Sequence, residues 1–437
     1  MVSLGCPKNQ VDSEVMLAQA AAAGYIVGAD PAEADVIVVN TCAFIRPAQE
    51  ESIDTILQLA KYKSEGSCRA LVVAGCLAER YAGDLLAEMP EIDAVVGTGR
   101  FREITTVVDD VLQGKHKAYL GRYKPGTDGL LPLPRLLTTP GHYAYLKIAE
   151  GCDHRCSFCV IPSLRGPNTS RPIPELVAEA RQLASVGVRE LILVAQDTTS
   201  YGLDLYGRRS LPDLLVALAE IEEIDWIRVL YLYPQGVDDR LINVMANERR
   251  ICPYLDLPLQ HSHPAILAAM RRPADTDGTL ARLQAIRSAI PEVAIRTSLI
   301  VGFPGEDEEA FSHLTRFVQQ VRFDHLGVFT YSPEDSTEAA RMPGQCPETV
   351  KKDRRRRLLR LQQAISSEIL QGMVGKDMEV MLDRPGSAGQ WVAHTRRQAP
   401  DVDGAVYVRG IRNGRPGEIC KVHVDKAGTY DLYATAL

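Results

Sequence analysis

Long apolar runs are missing from this chain. No stretch approaches the roughly 20 residues a membrane span needs, which argues against a helical membrane protein. The opening residues, Met1 to Asn9, have neither the charged nor the apolar region of a signal peptide, so a cytoplasmic protein is expected. An excess of positive charge is missing too. The formal net charge is −7, whereas a chain built to grip nucleic-acid phosphates wants a basic footprint, unless one domain is locally basic. No internal repeat of fixed period and no low-complexity tract are present.

What is there is an ordinary globular composition and an unusual set of cysteines. The chain has 437 residues, 46% hydrophobic and 24% charged, enough for about two to four domains with sizeable cores. It carries ten cysteines. In a cytoplasmic protein disulfides are rare, so clustered cysteines point to metal binding or catalysis.

Hydrophobic patterning predicts an α/β protein in three parts. Residues 1–122 read as a parallel α/β domain with strands at Val2–Gly5, Asp35–Asn40, Ala70–Ala74 and Ala94–Gly97. Helices such as Ser13–Ala23 and Glu50–Lys61 lie between them. Residues 123–141, with Pro125, Gly126, Gly129, Pro132, Pro134 and Pro140, read as a linker. Residues 142–370 alternate strand and helix six times, which predicts a partial (β/α)6 barrel rather than a full eight-unit one. Its strands are Ala144–Ile148, Glu190–Ala195, Trp226–Leu232, Tyr254–Leu257, Ala294–Val301 and His325–Thr330, and a helix over Lys351–Leu370 closes it. Residues 371–437, with strands at Glu379–Leu382, Val406–Arg409 and Lys421–Val424, read as a small β-barrel.

Two cysteine constellations carry the chemistry. Cys152-Asp-His-Arg-Cys156-Ser-Phe-Cys159 follows the first barrel strand. Three thiolates in eight residues can grip three corners of a 4Fe-4S cube and leave its fourth iron open. An open iron can chelate the amino and carboxylate groups of S-adenosylmethionine (SAM). The competing reading is a zinc knuckle with His154 or His142 as fourth ligand, although zinc sites usually pair their ligands in two short couples. The second constellation is dispersed. Cys6, Cys42 and Cys76 each follow a predicted strand of the first domain, one strand–helix–strand unit apart. Parallel strands point the same way, so residues past their ends converge on one edge and can share a metal centre. The alternative is that they are small buried apolar residues. Cys68 precedes its strand, at the opposite edge, and is excluded. Cys252, Cys346 and Cys420 stand alone.

Five other positions are candidate cofactor contacts: Phe158 inside the cysteine motif, Gln196 and Gln260 after barrel strands, and Gly302 and Gly305. The last two lie in Val301-Gly-Phe-Pro-Gly-Glu306, where a strand turns into a helix. Glycines there would let backbone approach a ligand, and a helix N-terminus favours a carboxylate. His261 also sits at a strand end. Gly97-Thr98-Gly99 lacks the third glycine of a dinucleotide loop and is set aside. The Arg354–Arg357 run reads as a solvated helix face.

These residues together resemble the methylthiotransferase family of radical SAM enzymes over essentially the whole chain. That family joins an N-terminal domain with three cluster cysteines, a radical SAM partial barrel with CxxxCxxC, and a C-terminal TRAM domain. Ser3-Leu-Gly-Cys-Pro-Lys-Asn9, Glu150-Gly-Cys-Asp-His-Arg-Cys156, Ser170-Arg-Pro172, Gln196-Asp-Thr198, Tyr331-Ser-Pro-Glu334 and Ala399-Pro-Asp-Val-Asp-Gly404 match one branch of it. That branch modifies an aspartate of small-subunit ribosomal protein twelve; the other modifies a tRNA adenosine. The resemblance implies two 4Fe-4S clusters, on Cys6, Cys42 and Cys76 and on Cys152, Cys156 and Cys159. It implies two uses of SAM: reductive cleavage to a 5′-deoxyadenosyl radical, and methylation of sulfur held at the N-terminal cluster. A reducing electron-donor protein and a sulfur donor are implied partners, with the substrate protein free or on the ribosome and tRNA disfavoured. The alternatives are tRNA methylthiolation and a non-catalytic cluster-binding module. Two departures stand out. Only five residues precede Cys6, so a few are expected to be missing, and Ala195-Gln196-Asp197 replaces the family's Gly-Gly-Glu.

From Gln371 to Leu437 nine lysines and arginines face eight aspartates and glutamates, a nearly neutral tail that suits a protein surface better than phosphates.

Overall fold

The computed structural model describes residues 1–28, 30–121 and 134–437. Five parallel strands come first: β1 (Val2–Ser3), β2 (Val36–Thr41), β3 (Ala70–Gly75), β4 (Ala94–Val96) and β5 (Lys117–Tyr119), hydrogen-bonded in chain order. Successive residues of β3 serve opposite faces. Leu71 and Val73 pack with Ile56, Leu77 and Leu85, whereas Val72 and Ala74 pack with Met16, Phe101 and Val107. A sheet covered on both faces needs such continuous apolar strands. The fifth strand escaped the sequence reading because two of its three residues, Lys117 and Ala118, are exposed and give no apolar run.

The second part is an open arc of six parallel strands, as expected. It holds β6 (Tyr143–Lys147), a short antiparallel ladder of β7 (Ala149–Glu150) with β8 (Thr169–Ser170), then β9 (Glu190–Val194) and β10 (Trp226–Val229). β11 (Tyr254–Asp256), β12 (Ala294–Val301) and β13 (His325–Thr330) follow. The strand orders β10-β9-β6 and β11-β12-β13 meet through a single bridge between Ile227 and Ile251. The expected strand Trp226–Leu232 stops at Val229, and Tyr231 then adopts φ 59°, outside extended backbone.

The helix Glu348–Gln371 leads into a closed five-stranded barrel of β14 (Asp377–Pro385), β15 (Trp391–His394), β16 (Val406–Arg409), β17 (Ile419–Ala427) and β18 (Leu432–Ala436). Two of these strands, β15 and β18, had no counterpart in the sequence reading. Closure leaves no free edge and buries Val380, Leu382, Val406, Val408, Val422 and Val424 inside.

The tail barrel and the N-terminal sheet sit at opposite ends of the arc. Met381 and Ala399 of the tail region pack with Tyr143, Trp226, Tyr254 and Ala294, which begin their strands. The N-terminal domain meets the other end, where Val160 and Leu164 join its core. Most of the expected linker, with Pro125, Gly126, Gly129 and Pro132, lies outside the described residues. Pro134–Gly141 is described, and it is anchored: the Arg135 side chain is buried, pairs with Glu14 and Glu179 (2.9 Å), and donates to the Tyr145 carbonyl (2.6 Å). Among the described residues no helix is long and apolar enough to cross a membrane.

Candidate cluster sites

Strand register brings the dispersed cysteines to one edge. Ser3 pairs with Asn40, and Asn40 with Ala74, so three neighbouring strands end together. Cys6 then caps the helix Pro7–Ala22, Cys42 follows β2, and Cys76 opens the helix Cys76–Glu88. The helix starts at Pro7, not at Ser13 as the sequence reading had it; proline is suited to a first helical position because its missing N–H is unneeded there. Cys68 lies at the far edge, buried, with its thiol on the Ala70 carbonyl (3.3 Å).

Two buried asparagines lock this edge. The Asn9 amide donates to the Thr41 carbonyl (2.8 Å) and the Leu4 carbonyl (3.2 Å), while that of Asn40 donates to the Asn9 carbonyl (2.8 Å) and Ser13 Oγ (2.9 Å). Gly5 (φ 92°) and Gly75 (φ 92°) make room: a Cβ on Gly5 would stand 2.7 Å from that of Cys42, and one on Gly75 2.3 Å from Asn40 Oδ1.

The charge at this edge comes from Lys8 and from the next domain. Arg165, buried, reaches Cys76 Sγ (3.5 Å), Asn9 Oδ1 (2.5 Å) and Glu150 (2.7 Å). Lys147 pairs with Glu150 (2.8 Å) and Asp12. Burial would push the Glu150 carboxyl up, but Arg165 and Lys147 hold it down at about 2. Burial likewise opposes ionisation of Cys6, yet Lys8 and Arg165 hold that thiol below its ordinary value. At Cys42 burial outweighs the Phe44 backbone bond and Arg165 and pushes the thiol up to about 11, and burial raises Cys76 despite Arg165.

The second triad sits in the loop between β7 and β8. The Cys152 amide donates to the Gly166 carbonyl (3.0 Å), Ser157 ties the loop to the Met270 and Ala269 carbonyls (3.1 and 2.7 Å), and Arg272 points at Cys156 Sγ (3.8 Å). Burial pushes the Cys152 thiol up to about 11 and that of Cys159 to about 12. A metal that binds them as thiolates displaces those protons. Among the described residues no three His, Cys, Asp or Glu side chains gather closely enough for a single ion. Each triad nonetheless supplies three thiols within one another's field, a donor set that fits three irons of a cluster.

The two histidines of the zinc reading lie apart. His154 bonds Asp197 through Nε2 (2.8 Å) and stacks on Tyr233 at 3.7 Å, whereas His142 precedes β6, at the opposite end of that strand from the triad, with its Nε2 on Asp383 (2.9 Å).

The other candidate contacts divide. Gln196 gives its amide to Glu150 (2.6 Å) and leaves its buried Oε1 without a partner. Phe158 packs edge-on against Phe303, and Gln260, at φ 72°, bridges to Leu299. The Gly302 amide is taken by the chain's own Glu306 (2.8 Å), which also pairs with Arg354 (2.9 Å), so an internal carboxylate fills the place expected of a ligand's; Gly305 donates to the Gly344 carbonyl (3.0 Å). His261 is buried beside the same Glu306 (3.5 Å). Thus Arg354 and Lys351 are buried struts, and only Arg355–Arg357 of the run keep the solvated character expected of them. A cavity of about 390 Å³ lies between the starts of β12 and β13 and the tail barrel, and no cysteine of either triad lines it. Sequence reasoning missed Lys8, Asn9, Arg165 and Tyr231. Lys8 and Asn9 lay in the quoted Cys-Pro-Lys-Asn motif, but Arg165 and Tyr231 carried no local signal.

Fold and site together define a radical SAM enzyme with an added cluster-binding domain and a TRAM barrel. Family models agree: uncharacterized protein family UPF0004 matches residues 1–97, the radical SAM superfamily 146–318 and the TRAM domain 374–437. The chain is 48% identical to a protein of Syntrophus aciditrophicus named ribosomal protein uS12 methylthiotransferase RimO, covering 100% of this chain and 98% of that one. It is 48% identical to the RimO of Pelotomaculum thermopropionicum, covering 99% and 97%. The chain belongs to the RimO family of radical SAM methylthiotransferases. In fold it is similar to the radical SAM methyltransferase TsrM of Kitasatospora setae, with a TM-score of 0.56 at 14% identity over 74% of this chain and 71% of that one.

Proposed function

We propose that this chain adds a methylthio group to the β-carbon of an aspartate in ribosomal protein uS12, using SAM and two 4Fe-4S clusters. The observation that carries this reading is the full-length identity to RimO proteins, together with a buried Arg165 that ties Cys76 of one triad to Glu150, two residues before Cys152 of the other. Residues 1–122 would hold one cluster on Cys6, Cys42 and Cys76. Residues 142–370 would hold the other on Cys152, Cys156 and Cys159, and residues 371–437 would form the TRAM unit. Phe158, Gln196, Gln260, Gly302 and Gly305 would border the SAM site, with the Gly302 amide committed to Glu306 rather than to a ligand.

A cluster with SAM on Cys152, Cys156 and Cys159 would supply hydrogen-abstracting radical chemistry, and one on Cys6, Cys42 and Cys76 would supply sulfur. The protein's own part is to position and to exclude water. Asn9 and Asn40 fix the strand ends that carry one triad, and Ser157 fixes the loop that carries the other. Arg165 spans the two domains and offsets negative charge on Cys76, so the N-terminal site is complete only when the domains are docked. Low exposure at Cys42 and Cys76 keeps water from the sulfur. An electron-donor protein and a sulfur donor belong to this reading, as does a cytoplasmic location.

The test is mass analysis of ribosomal proteins and bulk tRNA with and without the gene. The expected result is loss of the methylthio group from uS12 alone. Loss of a methylthio-adenosine from tRNA, with uS12 still modified, would overturn it.

A further inference from the structure

Three buried cations meet where the N-terminal domain faces the barrel, and they are not alike. Lys147 is paired with Asp12 and Glu150, and Arg165 with Glu150 and, at 3.5 Å, Asp12. Lys8 is 8% exposed, yet among the described residues no carboxylate lies within ion-pairing distance of it. Its ammonium stands 3.5 Å from the ring centroid of Tyr231. A cation–π contact recovers only part of what an ammonium loses on leaving water. A buried ammonium held against a ring, with the Cys6 thiol in its field and both neighbouring carboxylates committed elsewhere, has no carboxylate of its own.

The surroundings keep it poised. Lys8 is two residues after Cys6, in the first turn of the helix Pro7–Ala22, so its backbone is fixed by the same edge that fixes the triad. Tyr231 stands just past β10, on the barrel side of the junction. Its strained backbone (φ 59°) is held at both ends: its amide donates to Asp256 (3.0 Å) and its carbonyl accepts from the Thr198 amide (3.0 Å) and hydroxyl (3.1 Å). Strain of this kind persists where surrounding structure over-determines it, commonly at ligand clamps. Lys8 therefore projects from the domain of one cysteine triad onto Tyr231, just past a strand end of the domain that carries the other.

We propose that Lys8 is the residue that binds the side-chain carboxylate of the substrate aspartate. This rests on the aspartate reading above and deepens it. The carbon to be modified is bonded directly to that carboxylate carbon, so anchoring the carboxylate on a fixed ammonium places the β-carbon within one bond of a fixed point. A charge-assisted hydrogen bond here would also set aspartate apart from asparagine.

The test uses the full-length, cluster-loaded protein and a synthetic uS12 loop peptide carrying either aspartate or asparagine at the target position, with binding read by fluorescence anisotropy. The unaltered protein is expected to bind the aspartate peptide about 10- to 100-fold more tightly. Lys8→Gln should erase that preference while keeping the full iron content, and Lys8→Arg should restore part of it. Equal binding of both peptides by the unaltered protein would overturn the proposal, whatever the variants do. So would Lys8→Gln losing N-terminal iron along with binding, which would make Lys8 a counter-charge for the cluster. If uS12 is methylthiolated in cells but the preference survives Lys8→Gln, only this proposal fails; if uS12 is unmodified, the functional reading fails first.

Discussion

The two cysteine triads are built in opposite ways. Cys152, Cys156 and Cys159 occupy one loop, half exposed, held mainly by backbone bonds to neighbouring segments of the same domain. Cys6, Cys42 and Cys76 come from three strands, Cys42 and Cys76 are buried, and an arginine from another domain touches Cys76. A local motif can assemble whenever its loop is formed. A dispersed one exists only when a sheet has its register and, here, when two domains are docked. That difference makes the first triad the sturdier and the second the more conditional.

The largest effect expected from this contrast is chemical. Replacing Cys152, Cys156 and Cys159 by alanine should remove about half the reconstituted iron and abolish deoxyadenosine formation, read by chromatography after anaerobic reduction. The mirror variant, with alanine at Cys6, Cys42 and Cys76, should also lose half the iron and all methylthiolated product while still cleaving SAM. If it kept the normal rate of product formation, the dispersed triad would not be a working site. Cys68→Ala is the control, with iron unchanged.

Arg165→Met tests the conditional character of the dispersed triad. It would strand Glu150 and Asp12 with less compensation and take a positive charge from Cys76. Breaking a buried pair from one side costs about 3–5 kcal/mol. The expected outcome is a lower melting temperature with iron lost from the N-terminal site before the barrel site. Equal loss from both would show that the triads share one fate.

The sequence made the first triad legible because its spacing alone implies three ligands on one cube. It made the second legible only through an inference about strand ends; the register ends those strands together, and that their cysteines hold a cluster is the proposal made above. Arg165 was beyond reach, since nothing local distinguishes an arginine bound for another domain's cysteine. The same limit hid β5 and β18: a strand whose residues are half exposed leaves little periodic trace. Gly302 shows the reverse error. A glycine turn at a helix start reads as a carboxylate cradle, and it is one, but the carboxylate belongs to Glu306, four residues on.

The smallest effect concerns the far end of the arc and asks whether either triad depends on the tail. His394 ends β15 and is buried between Glu190 (2.6 Å), which begins β9, and Asp383 (2.7 Å) of β14. Burial alone would push its imidazole down, but Glu190 and then Asp383 carry it up to about 9. A group whose folded value is raised contributes stability that is complete below its unfolded value, near 6.5. That contribution fades as pH rises towards about 9. The full shift amounts to roughly 3 kcal/mol. Its two carboxylate partners are displaced downward and contribute the opposite dependence only in acid, as pH falls below their ordinary range. The melting temperature should therefore decline between about pH 6.5 and 9, and His394→Gln should be less stable at pH 6 and flatten that decline. Iron content at both triads should stay constant over the same range, because the junction that titrates is at the opposite end of the strands from the cysteines. Iron released in step with the alkaline loss of stability would mean the tail holds the triads in place, and the contrast between a sturdy and a conditional site would have to be redrawn.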